Sequence, residues 1–156
     1  MVGRMGRLAL GLAGVALAAP GCSGPGPSPI AAACTASAEG VLAALAAAPG
    51  AVVLEDGSPL SRCIADGTDD GELQTVGITF SQAAERLRVT AETDPVAALQ
   101  LGYLAGVTRK GAARTNGVMA ELVRRIEIVA GRTVDDATPE ARRALERGLV
   151  VGARRG

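Results

Sequence analysis

A short acidic run in the first half of the chain offers the oxygen ligands that a hard metal ion binds. The run holds four carboxylates: Asp66, Asp69, Asp70 and Glu72. Asp66 and Asp70 match the first and fifth places of a calcium-binding loop, but Gly77 stands where that loop needs a bidentate glutamate. Two interpretations stay open, a metal-dependent enzyme that uses this cluster and a solvated turn whose aspartates cap the next helix.

Near the end of the chain, three arginines could bind an anion: Arg142, Arg143 and Arg147. A guanidinium group matches a carboxylate or phosphate with paired hydrogen bonds. The competing interpretation is ordinary surface pairing, since Glu146 can reach Arg142 or Arg143 along a helix, and Glu121 precedes Arg125 by four residues. We expect the helix face that carries the three arginines to contact a partner.

The absence of histidine narrows the possible chemistry. It excludes catalytic triads and dyads based on imidazole, as well as the usual histidine-rich zinc sites. The one lysine, Lys110, is not preceded by a serine at the spacing of serine–lysine enzymes, and no glycine-rich phosphate loop is found. We therefore identify no catalytic residue and predict no cofactor.

The first residues of the chain have the pattern of an export signal. Arg4 and Arg7 precede an apolar run over residues 8–19. That run matches the central region of a signal peptide and is shorter than the roughly 20 residues of a membrane span. An uncleaved N-terminal anchor is the alternative, and either interpretation places the rest of the chain outside the cytoplasm.

A cysteine follows this apolar run directly. The triplet 19–21, Ala-Pro-Gly, and Cys22 resemble the lipobox of bacterial lipoproteins, in which a small or apolar triplet precedes a cysteine that is lipidated and becomes the new N-terminus. The resemblance implies a signal peptide over 1–21, lipidation of Cys22 and a cell-envelope location. Cleavage after Ala18 by the ordinary signal peptidase is the alternative.

The cysteine count favours the lipoprotein interpretation. Besides Cys22 the chain has only Cys34 and Cys63, and an odd count in an exported protein leaves one thiol to be explained. If Cys22 carries the lipid, the other two can form a disulfide; two buried thiols that never meet are the alternative. Residues 22–29 then form a tether, because alternating proline and glycine cannot build a helix or a core.

Charge is unevenly distributed, although the whole chain is formally neutral. Residues 22–108 hold three arginines and ten acidic residues, a balance of −7, whereas residues 109–156 hold eleven basic and six acidic residues, a balance of +5. We expect neighbouring helices to present complementary charged faces to one another. A basic surface on anionic lipid is the alternative, and nucleic acid is not an expected partner of an exported chain with so few aromatic residues.

Helical signals fill most of the chain after residue 30. An alanine-rich first helix over 30–48 should end at Pro49. A short strand could follow at 51–54. After it, Ser58 and Pro59 should start a short helix that carries Cys63. In the next segment apolar residues recur at intervals of three and four, which predicts an amphipathic helix that Asp69 and Glu72 begin. Its apolar positions are Leu73, Val76, Gly77, Phe80, Ala84 and Leu87.

The second half of the chain continues this helical pattern. Asp94 opens a helix that is apolar on nearly all faces and should be buried, with Gly102 and Gly106 allowing close approach of another backbone. The segment 111–117 could break the helix, with a cap over 115–117, or kink it. Thr138 and the proline after it should start the last helix.

We therefore predict an all-α fold, a small bundle of about four or five helices. Residues 1–21 are the signal peptide, 22–29 the lipidated cysteine and tether, and 30–156 a single helical domain. The predicted function is that of an exported, lipid-anchored envelope protein, which binds or scaffolds an envelope partner without catalysis. The alternative is the metal-dependent enzyme.

Overall fold

The computed structural model describes residues 30–66, 69–113 and 117–156. All regular structure in these residues is helical, which confirms the predicted all-α bundle. Seven helices are present in them, more than the four or five predicted: α1 (Ala33–Ala36), α2 (Ala38–Leu45), α3 (Arg62–Ala65), α4 (Asp70–Ala91), α5 (Pro95–Ala112), α6 (Val118–Asp136) and α7 (Pro139–Arg155). None of these helices is long and apolar enough to cross a bilayer.

The predicted first helix is divided in two, so that prediction is wrong. Ser37 has an extended backbone between α1 and α2, and its hydroxyl accepts a hydrogen bond from the Gly40 amide at 3.1 Å. A serine side chain that caps one helix competes with continuation of the helix before it.

The connection from α2 to α3 also differs from the prediction. Instead of a strand, Val53 and Pro59 form a single antiparallel bridge. Ser58 does not cap α3, because the helix begins only after Ser61, which stands at its N-cap position. The Ser58 amide donates to the Asp56 carboxylate at 3.0 Å in the preceding turn.

The predicted caps of three long helices are confirmed. Asp69 accepts from the amides of Gly71 and Glu72 at the start of α4, Asp94 accepts from an amide in the first turn of α5, and Thr138 does the same for α7. Between α5 and α6 the helix is broken, with Gly117 at a positive φ of 70° before α6. The predicted cap residues Thr115 and Asn116 lie outside the described residues.

The four long helices run alternately up and down the bundle. Along α4, residues 73–78 adjoin Leu122 and Arg125, and residues 81 and 85 adjoin positions further along α6, so α4 and α6 are parallel. α5 and α7 form the other parallel pair. α5 contacts α4, α6 and α7 and is buried along most of its length, which confirms that it is the central helix.

Glycines on both sides set the approach of α7 to α5. A methyl group added at Gly102 or Gly106 would lie less than 3.0 Å from backbone atoms of α7, closer than real Cβ atoms come. The same added group at Gly148 or Gly152 would meet the backbone of Leu99 or Tyr103 just as closely. Two pairs of glycines, each at i and i+4, therefore let the two backbones touch, as proposed for the first pair.

A disulfide connects the short helices to one another. Cys34 of α1 and Cys63 of α3 are bonded, with Cα atoms 5.5 Å apart, and both residues are almost fully buried. The predicted pairing of these two cysteines is confirmed. It closes a loop that holds α1, α2 and α3 against the long helices.

Candidate functional site

The outer face of α7 carries a surface groove of about 520 Å³, which borders the contact of α7 with α5. Seven residues line it: Pro49, Leu99, Arg143, Glu146, Arg147, Val150 and Val151. Positions 143, 147, 150 and 151 share one stripe of the helix, because side chains at i, i+4, i+7 and i+8 point the same way. Leu99 of α5 and Pro49 after α2 complete the lining.

The groove is polar at one end and apolar at the other. Its charged residues belong to the first half of α7, whereas Val150 and Val151 stand one turn further on. Arg143 donates to the Glu140 carboxylate at 3.0 Å, and both side chains are more than 60% exposed. Arg147 has no ion pair among the described residues. Such an exposed pair is weak, so both guanidinium groups can be recruited by an anion.

The third predicted arginine points elsewhere. Arg142 donates a hydrogen bond to the carbonyl oxygen of Val134, in the last turn of α6, at 3.1 Å. A cation there satisfies a helix-end carbonyl and complements the negative end of the helix dipole. The structure thus brings Arg143 and Arg147 together at the groove and separates Arg142 from them. Partner binding by the three arginines stays a prediction.

Among the described residues, no ion pair joins the two halves of the chain, so the expected charge pairing is not found there. Every ion pair in the described residues joins groups within one half, as Glu39 with Arg86 and Arg109 with Glu127 do. The reason is local: most pairs are i,i+3 or i,i+4 neighbours on one helix, which are already in reach when the helix forms. The basic excess of the second half therefore remains on the surface.

Glu121 gives the clearest case of such local pairing. Its carboxylate accepts from Arg124 and from Arg125, each at 2.8 Å, which confirms the predicted pair of Glu121 and Arg125. These hydrogen bonds, first of all those from Arg124, lower the pKa of Glu121 to about 2. Both arginines are thereby engaged on α6 and do not contribute to the α7 groove.

The acidic run does not form a convergent ligand set in the part of the chain that is described. Asp66 pairs with Arg62 at 2.7 Å, and Asp69 caps α4. Asp70 and Glu72 belong to the first turn of that helix, so the chain is helical from the fifth place of the proposed calcium loop onward. No three acidic or cysteine side chains among the described residues are placed to hold one metal ion.

Tyr103 is buried on α5 with an unpartnered hydroxyl. The side chain is fully buried, and no hydrogen-bond partner of its hydroxyl is found within the described structure. Burial raises the pKa of Tyr103, while the Val52 backbone and the charge of Arg155 act in the opposite direction. Tyr103 lies on α5 about one turn beyond Leu99, which lines the groove.

Several groove residues have no local signal in the sequence pattern. Leu99 and Pro49 are distant from α7 in the chain. The packing of α5 on α7 brings Leu99 to the groove, whereas Pro49 comes from the turn after α2. Gly148 and Gly152 could have been recognised, because they repeat the spacing of Gly102 and Gly106. Cys22, the predicted lipidation site, lies outside the described residues.

Comparison of the chain with protein-family models, with curated proteins and with solved structures finds no match.

Proposed function

We propose that this protein is exported, anchored by a lipid on Cys22, and acts as a non-catalytic binding module of the cell envelope. The observation that carries the binding role is the groove on α7, which combines apolar walls with Arg143 and Arg147. Ligand sites of this kind are largely apolar, with a few polar groups that fix orientation. An acidic envelope component with an apolar portion fits such a groove best.

The anchor is supported by the leader, the triplet before Cys22 and the cysteine count. Cys34 and Cys63 are joined to each other, so Cys22 is the one cysteine left over. An unpaired cysteine directly after an apolar leader is explained if it carries acyl chains.

The tether supports a binding role away from the lipid. Residues 23–29 span at most about 20 Å in an extended proline-rich form. Charge attraction at physiological salt fades over roughly 8 Å. The domain therefore has room to leave the membrane surface and to present α7 to another component.

Replacement of Cys22 by serine tests the anchor. Wild-type protein in source cells should fractionate with membranes and carry the additional mass of acyl chains, whereas the Cys22→Ser protein should carry neither the mass nor the membrane association. Identical fractionation of the two proteins, with no acyl mass on the wild type, would refute the anchor.

Crosslinking in living source cells tests the binding role. The comparison is between wild type, the double variant Arg143→Glu/Arg147→Glu and the control Arg124→Glu/Arg132→Glu, which makes the same charge change on one paired and, among the described residues, one unpaired exposed arginine of α6, away from the groove. A component that is crosslinked to wild type and control but lost from the groove variant is expected. Equal recovery with all three proteins, or none above an unrelated tethered protein, would contradict the role.

A further inference from the structure

We propose that the α7 groove binds a single-chain anionic amphiphile, such as an alkyl carboxylate or phosphate, as a free monomer. This inference rests on the proposed binding function and specifies its ligand. Along α7 the groove lining changes from the charged side chains of Arg143, Glu146 and Arg147 to the aliphatic side chains of Val150 and Val151 one turn further on.

The anionic head would lie between two guanidinium groups. Arg143 and Arg147 are one turn apart on the same stripe, so both can reach one carboxylate or phosphate. Glu146 also lines the groove, and Glu140 pairs with Arg143. These carboxylates would repel an anion, but Arg147 is unpaired in the described structure, and the Arg143–Glu140 pair is exposed and readily exchanged.

The alkyl chain would lie along the aliphatic end. Val150 is 49% exposed although it is a large apolar residue, and Val151 and Leu99 are only partly covered. From Arg143 to Val151 the axis of α7 advances about 12 Å. An extended alkyl chain on that track would cover apolar surface that water now contacts, which is the main favourable term in such binding.

Size favours a small molecule over a protein. A volume of about 520 Å³ is within the range of small-molecule sites, roughly 300–1,000 Å³. A specific protein partner would bury on the order of 800 Å² on this chain. Three of the exposed large apolar side chains, those of Ile78 and Val89 on α4 and Ile128 on α6, belong to helices that do not line the groove and so do not extend it.

Methyl NMR of the exported Cys22→Ser full chain, recovered without acyl groups, tests the proposal. Dodecanoate, added below its micelle-forming concentration, should shift the methyl signals of Leu99, Val150 and Val151 saturably. Loss of charge-assisted hydrogen bonds should weaken binding to Arg143→Glu/Arg147→Glu by roughly tenfold or more. The control Arg124→Glu/Arg132→Glu on α6 should bind as the parent chain does, and unchanged melting temperatures show that both variants are folded.

Head-group and source controls complete the experiment. Dodecyl maltoside, which has the same chain and an uncharged head, should bind at least about tenfold more weakly than dodecanoate. Shifts spread over the whole domain, equal binding of the two amphiphiles, or equal binding to the Arg143→Glu/Arg147→Glu variant would overturn the proposal. So would binding to vesicles of anionic phospholipid without binding of monomeric dodecanoate.

Together, the NMR and crosslinking experiments distinguish failure of the amphiphile proposal from failure of the proposed binding function. If crosslinking captures a protein that is lost in the groove variant, while dodecanoate causes no shifts, the binding role stands and the amphiphile is refuted.

Discussion

The two faces of α7 are built on different principles. The inner face carries Gly148 and Gly152 and meets α5 backbone to backbone, without room for a methyl group. The outer face carries Arg143, Arg147 and Val150, which line an open groove. One helix thus holds both the tightest contact of α5 and the best candidate for a binding surface.

Substitutions on the two faces of α7 should affect different properties of the protein, stability on one face and binding on the other. Close packing leaves no tolerance for added atoms on the inner face, so changes there should act on stability. Exposed charges contribute little to folding, so changes on the outer face should act on binding.

Among the single substitutions, Gly148→Ala should destabilise the domain most. The added methyl group would collide with backbone atoms of Leu99 and Tyr103, and neither helix can shift a backbone without loss of packing along its length. We expect a loss on the order of 3 kcal/mol in the free energy of unfolding, measured by denaturant titration.

Gly131→Ala is the matched control for that substitution. Gly131 lies in α6, and an added methyl group there meets no atom within 4 Å. Alanine should therefore stabilise the helix by about 0.5–1 kcal/mol. Equal effects of the two substitutions would show that the glycine contact does not restrict the fold.

Removal of the disulfide should be comparably severe. Cys34 and Cys63 are 29 residues apart, and a loop of that size corresponds to about 3–4 kcal/mol in the chain-entropy model. The double variant Cys34→Ser/Cys63→Ser should unfold at correspondingly lower denaturant. Unfolding of wild type that does not change on reduction would contradict this expectation.

Tyr103→Phe should have a smaller effect of the opposite sign. The hydroxyl is buried without a partner in the described structure, so its removal should raise the free energy of unfolding by about 1 kcal/mol. A loss of stability of that size would instead reveal a hydrogen bond to this hydroxyl in solution.

Arg143→Glu/Arg147→Glu should change stability least. Both side chains are exposed, and the one ion pair that joins them to the described structure is on the surface. The change in the free energy of unfolding should stay within about 0.5 kcal/mol per residue. A loss of several kcal/mol would show that the outer face, too, serves the fold.

Much of the architecture could be predicted from local signals. A capping side chain bonds to amides within one helical turn, and the caps expected from Asp69, Asp94 and Thr138 are formed. The division of the first helix at Ser37 was missed, because alanine propensity over the whole segment outweighs one capping serine in a sequence pattern.

The candidate site could be predicted only in part. Arg143 and Arg147 were identified on one helix face, but their separation from Arg142 depends on where α6 ends. Leu99 and Pro49 join the groove through contacts between distant parts of the chain, which no local pattern encodes. Tertiary packing therefore decides the composition of the site.

Site-specific photocrosslinking in source cells tests most directly the claim that the outer face of α7 is a binding surface. A photoreactive residue would replace Val150 in the groove or, as the matched control, Val89 on α4, which is 71% exposed. We predict a specific adduct from position 150 and none from position 89, despite its greater exposure. The same adducts from both positions, or none from position 150, would contradict the claim.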